Sequence, residues 1–184
     1  MRRIFLDVGA DIGESVKFFR SNHPEANQFE IFSFEPHPVN IEKLRQIEGI
    51  TLIEKAVWIN DQGITMYFGK PKSSTVYSDK RTGRVDANDK HLVPTIDLVK
   101  FIKENFQKTD EIWMKMNIEG AEYQLIPYLY QSDILSWINR AYIKWHIGKI
   151  PSITEEQNIT CRSMVKEKVS KVFYLWRTKE ILPF

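Results

Sequence analysis

The sequence predicts an α/β fold in which a doubly wound, mostly parallel sheet is flanked by helices. Three observations carry this. Apolar, strand-like runs alternate with helix-periodic segments along most of the chain. The first run, Ile4-Phe5-Leu6, leads straight into a glycine turn, Asp7-Val8-Gly9-Ala10-Asp11-Ile12-Gly13-Glu14-Ser15, and then into a helical pattern carrying Val16, Phe18 and Phe19. A second run, Phe29 to Phe34, stops at Glu35, where Pro36 and Pro38 keep a helix from starting at once.

In order, a strand over Ile4–Leu6 and a helix over Glu14–Arg20 are followed by a strand near 29–34. A helix near 38–47 carries Ile41, Leu44 and Ile47. Ile50 to Val57 reads as a third strand, and Asn60-Asp61-Gln62-Gly63 turns into a hairpin-like partner, Ile64 to Phe68. Residues 69–92 are polar and charged with no clear period. That is long for a structureless connection and predicts either a functional lid or local disorder. A helix over Leu98–Phe106, a strand over Glu111–Met116 and a helix over Ala121–Leu129, disturbed by Pro127, come next. Arg140–His146 is the following strand, and a helix near Thr154–Val169 and a strand over Val172–Trp176 close the chain. No repeat or composition shift marks a boundary, so residues 1–184 are expected to form one domain.

At 42% hydrophobic and 27% charged, the 184 residues supply a full core under a soluble surface. The net charge of +2 is too mild to argue for a nucleic-acid partner, and the charges from Lys166 to Lys171 read as a solvated helix face. The single cysteine, Cys161, excludes an internal disulfide and gives no metal cluster. No apolar run approaches membrane-spanning length, and the first strand starts at residue 4, leaving no room for a signal peptide. A cytoplasmic protein with no membrane partner is the expectation.

Strand, glycine turn and helix bring the main chain up to a ligand at the sheet edge, because glycine accepts positive φ and allows close approach. Spacing narrows the ligand. Gly9 and Gly13 stand as G-x-x-x-G, which matches neither the dinucleotide fingerprint nor the phosphate-binding P-loop. Asp7 at the strand end would repel a pyrophosphate and suits a ligand with a cationic amino-acid end, the layout of S-adenosylmethionine sites. Glu35, at the end of the second strand, is placed to accept both ribose hydroxyls of a nucleoside. A turn that merely connects strand to helix and a solvated loop carboxylate are the competing explanations.

At this point the chain resembles the FkbM-type methyltransferases, a branch of the class I S-adenosylmethionine-dependent enzymes with a Rossmann-like fold. The resemblance rests on Asp7 to Gly13, Phe34-Glu35-Pro36, Pro94-Thr95-Ile96-Asp97, Lys115-Met116-Asn117-Ile118-Glu119-Gly120-Ala121-Glu122 and Trp145-His146. Residues 151–184 carry no motif of that family. The resemblance implies that Gly9, Ala10, Gly13 and Glu35 bind S-adenosylmethionine. Asp7, Asp11, Glu14, Ser15, Pro36, Ala56 and Asn117 complete the expected cofactor set, with Ala56 and Val57 open between an adenine contact and core packing. Asp11 stands where the family often has Asn, and either side chain accepts a hydrogen bond or caps a helix.

Methyl transfer from a sulfonium is an in-line displacement, so positioning carries most of the catalysis, while a hydroxyl acceptor also needs a base or a metal. The family usually has Asp where this chain has Asn117, which cannot take a proton. The expected catalytic residues are therefore Glu119, His146 and Asp79. Helix capping competes for Glu119, a core role for His146, and a helix N-cap is the reading of Asp97. The 69–92 loop is the expected acceptor element: Ser74, Thr75 and Tyr77, with Ser73 beside them, suit sugar or peptide hydroxyls, and Glu122 and Lys144 complete the substrate set. Lys144 replaces an acid common in the family and, if it faces the pocket, alters the acceptor charge preference. Lys70, Lys72, Lys80, Arg81 and Arg84 suit an anionic acceptor such as a nucleotide-sugar. No residue pattern indicates a metal, though magnesium is compatible with the chemistry.

The resemblance implies transfer to a hydroxyl of a small molecule, a sugar or glycan above all. N- or carboxyl-methylation, which needs less help from a base, and an inactive cofactor-binding partner subunit are the alternatives. Oligomeric state is not legible.

Overall fold

The computed structural model describes residues 1–69 and 73–173. In chain order the elements are β1 (Arg3–Val8), α1 (Glu14–Asn22), β2 (Glu30–Phe34), α2 (Pro38–Leu44), β3 (Thr51–Ile53), β4 (Ala56–Trp58), β5 (Ile64–Tyr67) and β6 (Lys90–Val93). They continue with β7 (Thr95–Asp97), α3 (Leu98–Asn105), β8 (Glu111–Met116), α4 (Glu122–Gln131), β9 (Ile138–Ile143), α5 (Glu155–Lys168) and β10 (Lys171–Phe173).

The central sheet is parallel throughout and ordered β10-β9-β8-β1-β2-β3. The chain builds outward from β1 through β2 and β3, then resumes on the other side of β1 with β8. The order therefore reverses between β1 and β8, and a ligand crevice opens outside the carboxyl ends of strands at such a point.

Side-chain alternation assigns the two faces. Ile4, Leu6 and Val8 of β1 join Ile112, Met114 and Met116 of β8 in the larger core, while Phe5 and Trp113 point to the opposite face. There Phe5 stacks on Phe19 of α1 at 4.2 Å, and Trp113 meets Phe19 edge-on at 5.8 Å. Both faces are covered, as an all-parallel sheet requires. The same alternation carries Asp7 and Lys115 onto the Phe5–Trp113 face as register partners.

Several elements depart from the sequence expectations. The run from Ile50 to Val57 divides, because Lys55 N–H turns back to the Ile53 carbonyl at 2.9 Å. Its first half is β3, and β4 pairs instead with β7 in a separate two-stranded sheet. The partner of β5 is not that third strand but β6, antiparallel, inside and beyond the stretch read as a loop. Pro127 does not break α4. The Tyr123 carbonyl, which a proline four residues on cannot engage, has Cys161 Sγ at 4.0 Å. The strand expected to end at His146 stops at Ile143, so Trp145 and His146 lie beyond the sheet. The expected strand over Val172–Trp176 runs past residue 173, and that part lies outside the described residues, as do Lys70 and Lys72. Among the described residues no helix is long and apolar enough to cross a membrane.

Candidate functional site

The carboxyl ends of β1, β2, β4 and β8 surround an open cleft with a volume of about 1320 Å³. Its floor is the turn after β1. Gly9 sits at φ 79°, and a Cβ there would lie 2.3 Å from the Asn117 carbonyl oxygen, so only glycine lets the turns after β1 and β8 meet. The turn's amides are tied inward: Gly9 and Ala10 N–H donate to the Phe34 carbonyl at 3.1 and 2.9 Å, and Asp11 N–H to Glu35 Oε2 at 2.8 Å. Gly13, at φ 80°, does not line the cleft. It lets the start of α1 approach the end of α2 and the turn after it, since a Cβ would meet Leu44 Cδ2 at 3.2 Å and Ile47 Cδ1 at 2.1 Å.

Glu35 is 6% exposed, at the end of β2 and in the cleft wall. Its oxygens accept N–H groups from Asp11 and His37 (3.0 Å) and the Asn40 amide (3.3 Å). Burial dominates over these donors and raises its pKa to about 7. Three donors leave room on a carboxylate for one more.

Asp7 is fully buried and does not line the cleft. Its Oδ1 lies 2.9 Å from Lys115 Nζ, and Ser15 Oγ donates to Oδ2 at 2.5 Å. The charge expected to meet a cationic ligand is therefore met by Lys115, which also donates to the Gly9 carbonyl at 2.6 Å and shapes the turn. Ala10, Asp11, Glu14, Ser15, Pro36, Ala56 and Asn117 all line the cleft. Asn117 Oδ1 is buried without a hydrogen-bond partner among the described residues.

A cluster of charges closes the β8 end. Glu119, at φ 54° in the strand-to-helix turn, lines the cleft. Its carboxylate lies 2.7 Å from Lys80 Nζ, 3.3 Å from His146 Nε2 and 3.7 Å from Lys144 Nζ. Burial pushes its pKa up, but His146 and Lys80 outweigh that and hold it at about 2. His146 is fully buried and does not line the cleft. Its Nδ1 and backbone N–H lie 2.8 and 2.9 Å from Glu122 Oε1. Burial lowers the imidazole pKa, yet the two flanking carboxylates win and raise it. Glu122, also fully buried, accepts Gly120 N–H at 2.9 Å through Oε2, so it fixes the turn and the imidazole rather than facing a ligand.

The 69–92 segment folds over these strand ends. Thr75 Oγ1 donates to the Glu119 carbonyl at 2.7 Å, and Ser74 lines the cleft. Thr75 and Tyr77 do not line it; Tyr77 packs against Gly120. Asp79 also lies off the cleft, its Oδ2 accepting Ser152 N–H at 2.8 Å and docking the segment on the 150s turn. Lys80, expected among the basic residues suited to an anionic acceptor, is buried on Glu119. Lys144 does line the cleft, and Asp97 caps α3 by accepting Lys100 N–H at 3.1 Å while also accepting the Tyr128 hydroxyl. Among the described residues no cluster of His, Cys, Asp and Glu side chains is arranged to hold a metal.

The profile of the methyltransferase FkbM domain matches residues 7–157. The chain belongs to the FkbM methyltransferase family. No match was found among curated proteins or among solved structures. In FkbM terms the matched span contains the whole cleft. Sequence reasoning had missed its Lys115 and Lys149, and had read Lys80 as a contact for an anionic acceptor, not as the buried partner of Glu119. The alternation that makes Asp7 and Lys115 register partners was the one available signal for the first. Nothing local pointed to Lys149, which lies between β9 and α5, where its carbonyl accepts Arg81 N–H of the folded-back segment at 2.8 Å.

Proposed function

We propose that this FkbM methyltransferase uses S-adenosylmethionine to methylate a hydroxyl of a small molecule, in particular of a sugar or glycan, in the cytoplasm. The observation that supports the reading best is Glu35: a buried carboxylate at the end of β2, held by three donors and with one acceptor position left, suits a ribose hydroxyl. Gly9, Ala10 and Pro36 would lie along the nucleoside, Ala56 and Val57 along the base edge. The unpartnered Asn117 Oδ1 suits an ammonium donor. When bound, the cofactor supplies an electrophilic methyl group on a sulfonium.

Ser73, Ser74 and Thr82 line the other end of the cleft with hydroxyls, which fits a polyhydroxy acceptor. Glu119 is placed to accept an acceptor hydroxyl and orient it. A carboxylate held near 2 is a weak base at neutral pH, and His146 lies off the cleft with both ring nitrogens turned to Glu119 and Glu122. That observation favours a second reading, transfer to an amine or carboxylate that already carries its nucleophilic lone pair.

Calorimetric titration with S-adenosylmethionine and S-adenosylhomocysteine tests the cofactor assignment. Wild type is expected to bind both in the micromolar range and Glu35→Ala at least about tenfold more weakly. A folded wild type that binds neither would sink the reading. Turnover on sugars against amines and carboxylates then separates the two acceptor classes.

A further inference from the structure

Lys115 is only 5% exposed, yet it lines the cleft beside the turn after β1. Its Nζ lies 2.9 Å from Asp7 Oδ1 and donates to the Gly9 carbonyl at 2.6 Å. An ammonium has three donors and accepts nothing. Among the described residues no third acceptor meets Nζ, so one donor is left to the cleft. Asp7 itself is out of a ligand's reach: it is fully buried off the cleft, and its Oδ2 is taken by Ser15 Oγ.

The neighbouring polar group has the opposite sense. Asn117 stands two residues further on, and its N–H prolongs the pairing with β1 by donating to the Val8 carbonyl at 3.0 Å. On extended backbone, residues two apart share a face, and both side chains line the cleft. Asn117 Oδ1 is buried with no hydrogen-bond partner among the described residues. A cationic donor and a neutral acceptor thus stand side by side, over an Asp7–Lys115 pair whose charges cancel.

That combination matches a ligand end that carries a carboxylate and an ammonium together and no net charge. The carboxylate gains the charge-assisted bond, which is roughly twice as strong as a neutral one. We propose that Lys115 binds the carboxylate of the cofactor's amino-acid end, so that the cleft selects a zwitterionic α-amino acid over a lone amine. The inference rests on the S-adenosylmethionine reading. It also reverses the part of Asp7: the acid at the end of β1 holds the lysine, and the lysine reads the ligand.

Three ligands are titrated calorimetrically: S-adenosylhomocysteine, its decarboxylated analogue, which keeps the amine, and methylthioadenosine, which keeps neither group. Wild type is expected to bind S-adenosylhomocysteine at least about tenfold more tightly than the decarboxylated analogue. Were Asp7 the charge that meets the ligand, the lone amine would bind as well or better. Lys115→Met strands a buried carboxylate and can unfold the chain, so Lys115→Met/Asp7→Asn is measured beside it. The double variant should lose the tenfold margin. A lysine that only shapes the Gly9 turn would weaken all three ligands alike when removed, so the margin between ligands, not the affinity, is the readout. A margin that survives in the folded double variant overturns the proposal, as does equal wild-type affinity for the first two ligands. Wild type that binds none of the three overturns the cofactor reading and this inference with it. Wild type that binds all three equally overturns this inference alone.

Discussion

Lys80 Nζ lies 2.7 Å from Glu119 Oε2, and the lysine side chain is wholly buried. The contact joins a segment far from any regular element to the turn after β8. It makes residues 73–84 part of the cleft wall instead of a solvated loop. Together with His146, the larger influence, it makes Glu119 a fixed negative charge at physiological pH.

Removing the lysine should therefore cost more than a surface ion pair would. Lys80→Met leaves a mostly buried carboxylate with one close partner fewer, and breaking buried pairs one-sidedly costs about 3 kcal/mol. Urea unfolding is the measurement. A double variant, Lys80→Met/Glu119→Gln, should recover part of the loss because the uncompensated charge is gone. A loss below about 1 kcal/mol, the range of exposed pairs, would show that the contact is not formed in solution.

His146 makes the opposite pH signature to a buried neutral histidine. Its pKa is raised in the folded state by Glu119 and Glu122 against the effect of burial. A raised histidine stabilises fully below its ordinary value of about 6.5, and that stabilisation is lost as pH rises through the higher folded value. Unfolding free energy in wild type should fall as pH rises past the ordinary histidine value of about 6.5, and His146→Gln should show less of that fall. Its cofactor affinity should change little, because the imidazole lies outside the cleft.

The parts of this site that were legible in the sequence are local. Gly9 and Glu35 follow apolar strands directly, so chain position alone puts them at the sheet's carboxyl edge, and Asp97 precedes its helix as an N-cap. The parts that were not depend on distant pairing. β6 and β7 are short, and Leu92 in β6 is 80% exposed, so no apolar alternation announced them. Only the tertiary register shows that Asp7 is neutralised by a lysine 108 residues away and that His146 is gripped by Glu122. Residue type suggested chemistry at Asp7, Asp79 and His146, whereas burial and partners gave each of them a structural task.

Glu35 predicts the pH dependence of nucleoside binding. Its folded pKa of about 7 stands above the ordinary carboxyl value, so the proton is held more tightly in the folded chain. That contribution to stability is complete below the unfolded value near 4.5 and is lost as pH climbs through 7. Accepting a ribose hydroxyl on the one position left by Asp11, His37 and Asn40 requires the ionised form. If only that form binds, affinity for S-adenosylhomocysteine should rise about tenfold between roughly pH 6 and pH 8. Glu35→Gln should bind more weakly and show no such rise. A wild-type affinity that is flat over this range would mean that the ribose does not use Glu35.

Gly9 and Gly13 have nearly the same φ, 79° and 80°, yet they should respond differently to alanine. Each substitution places a side chain in the left-handed region at a cost of about 1–2 kcal/mol. The remaining cost depends on what the new methyl meets. At Gly9 it is the Asn117 carbonyl oxygen at 2.3 Å, part of the backbone that leaves β8 and fixed by Asn117 N–H donating to the Val8 carbonyl at 3.0 Å. That backbone cannot withdraw without parting β1 from β8. At Gly13 it is Ile47 Cδ1 at 2.1 Å, the tip of a side chain that can rotate away. Gly9→Ala should thus be the more destabilising in urea unfolding, and it should weaken S-adenosylhomocysteine binding as well. Gly13→Ala should regain part of its loss when combined with Ile47→Val, which deletes the clashing methyl. If that pair shows no recovery, the cost at Gly13 is backbone strain alone, and α1 does not rest on Ile47 as the structure places it.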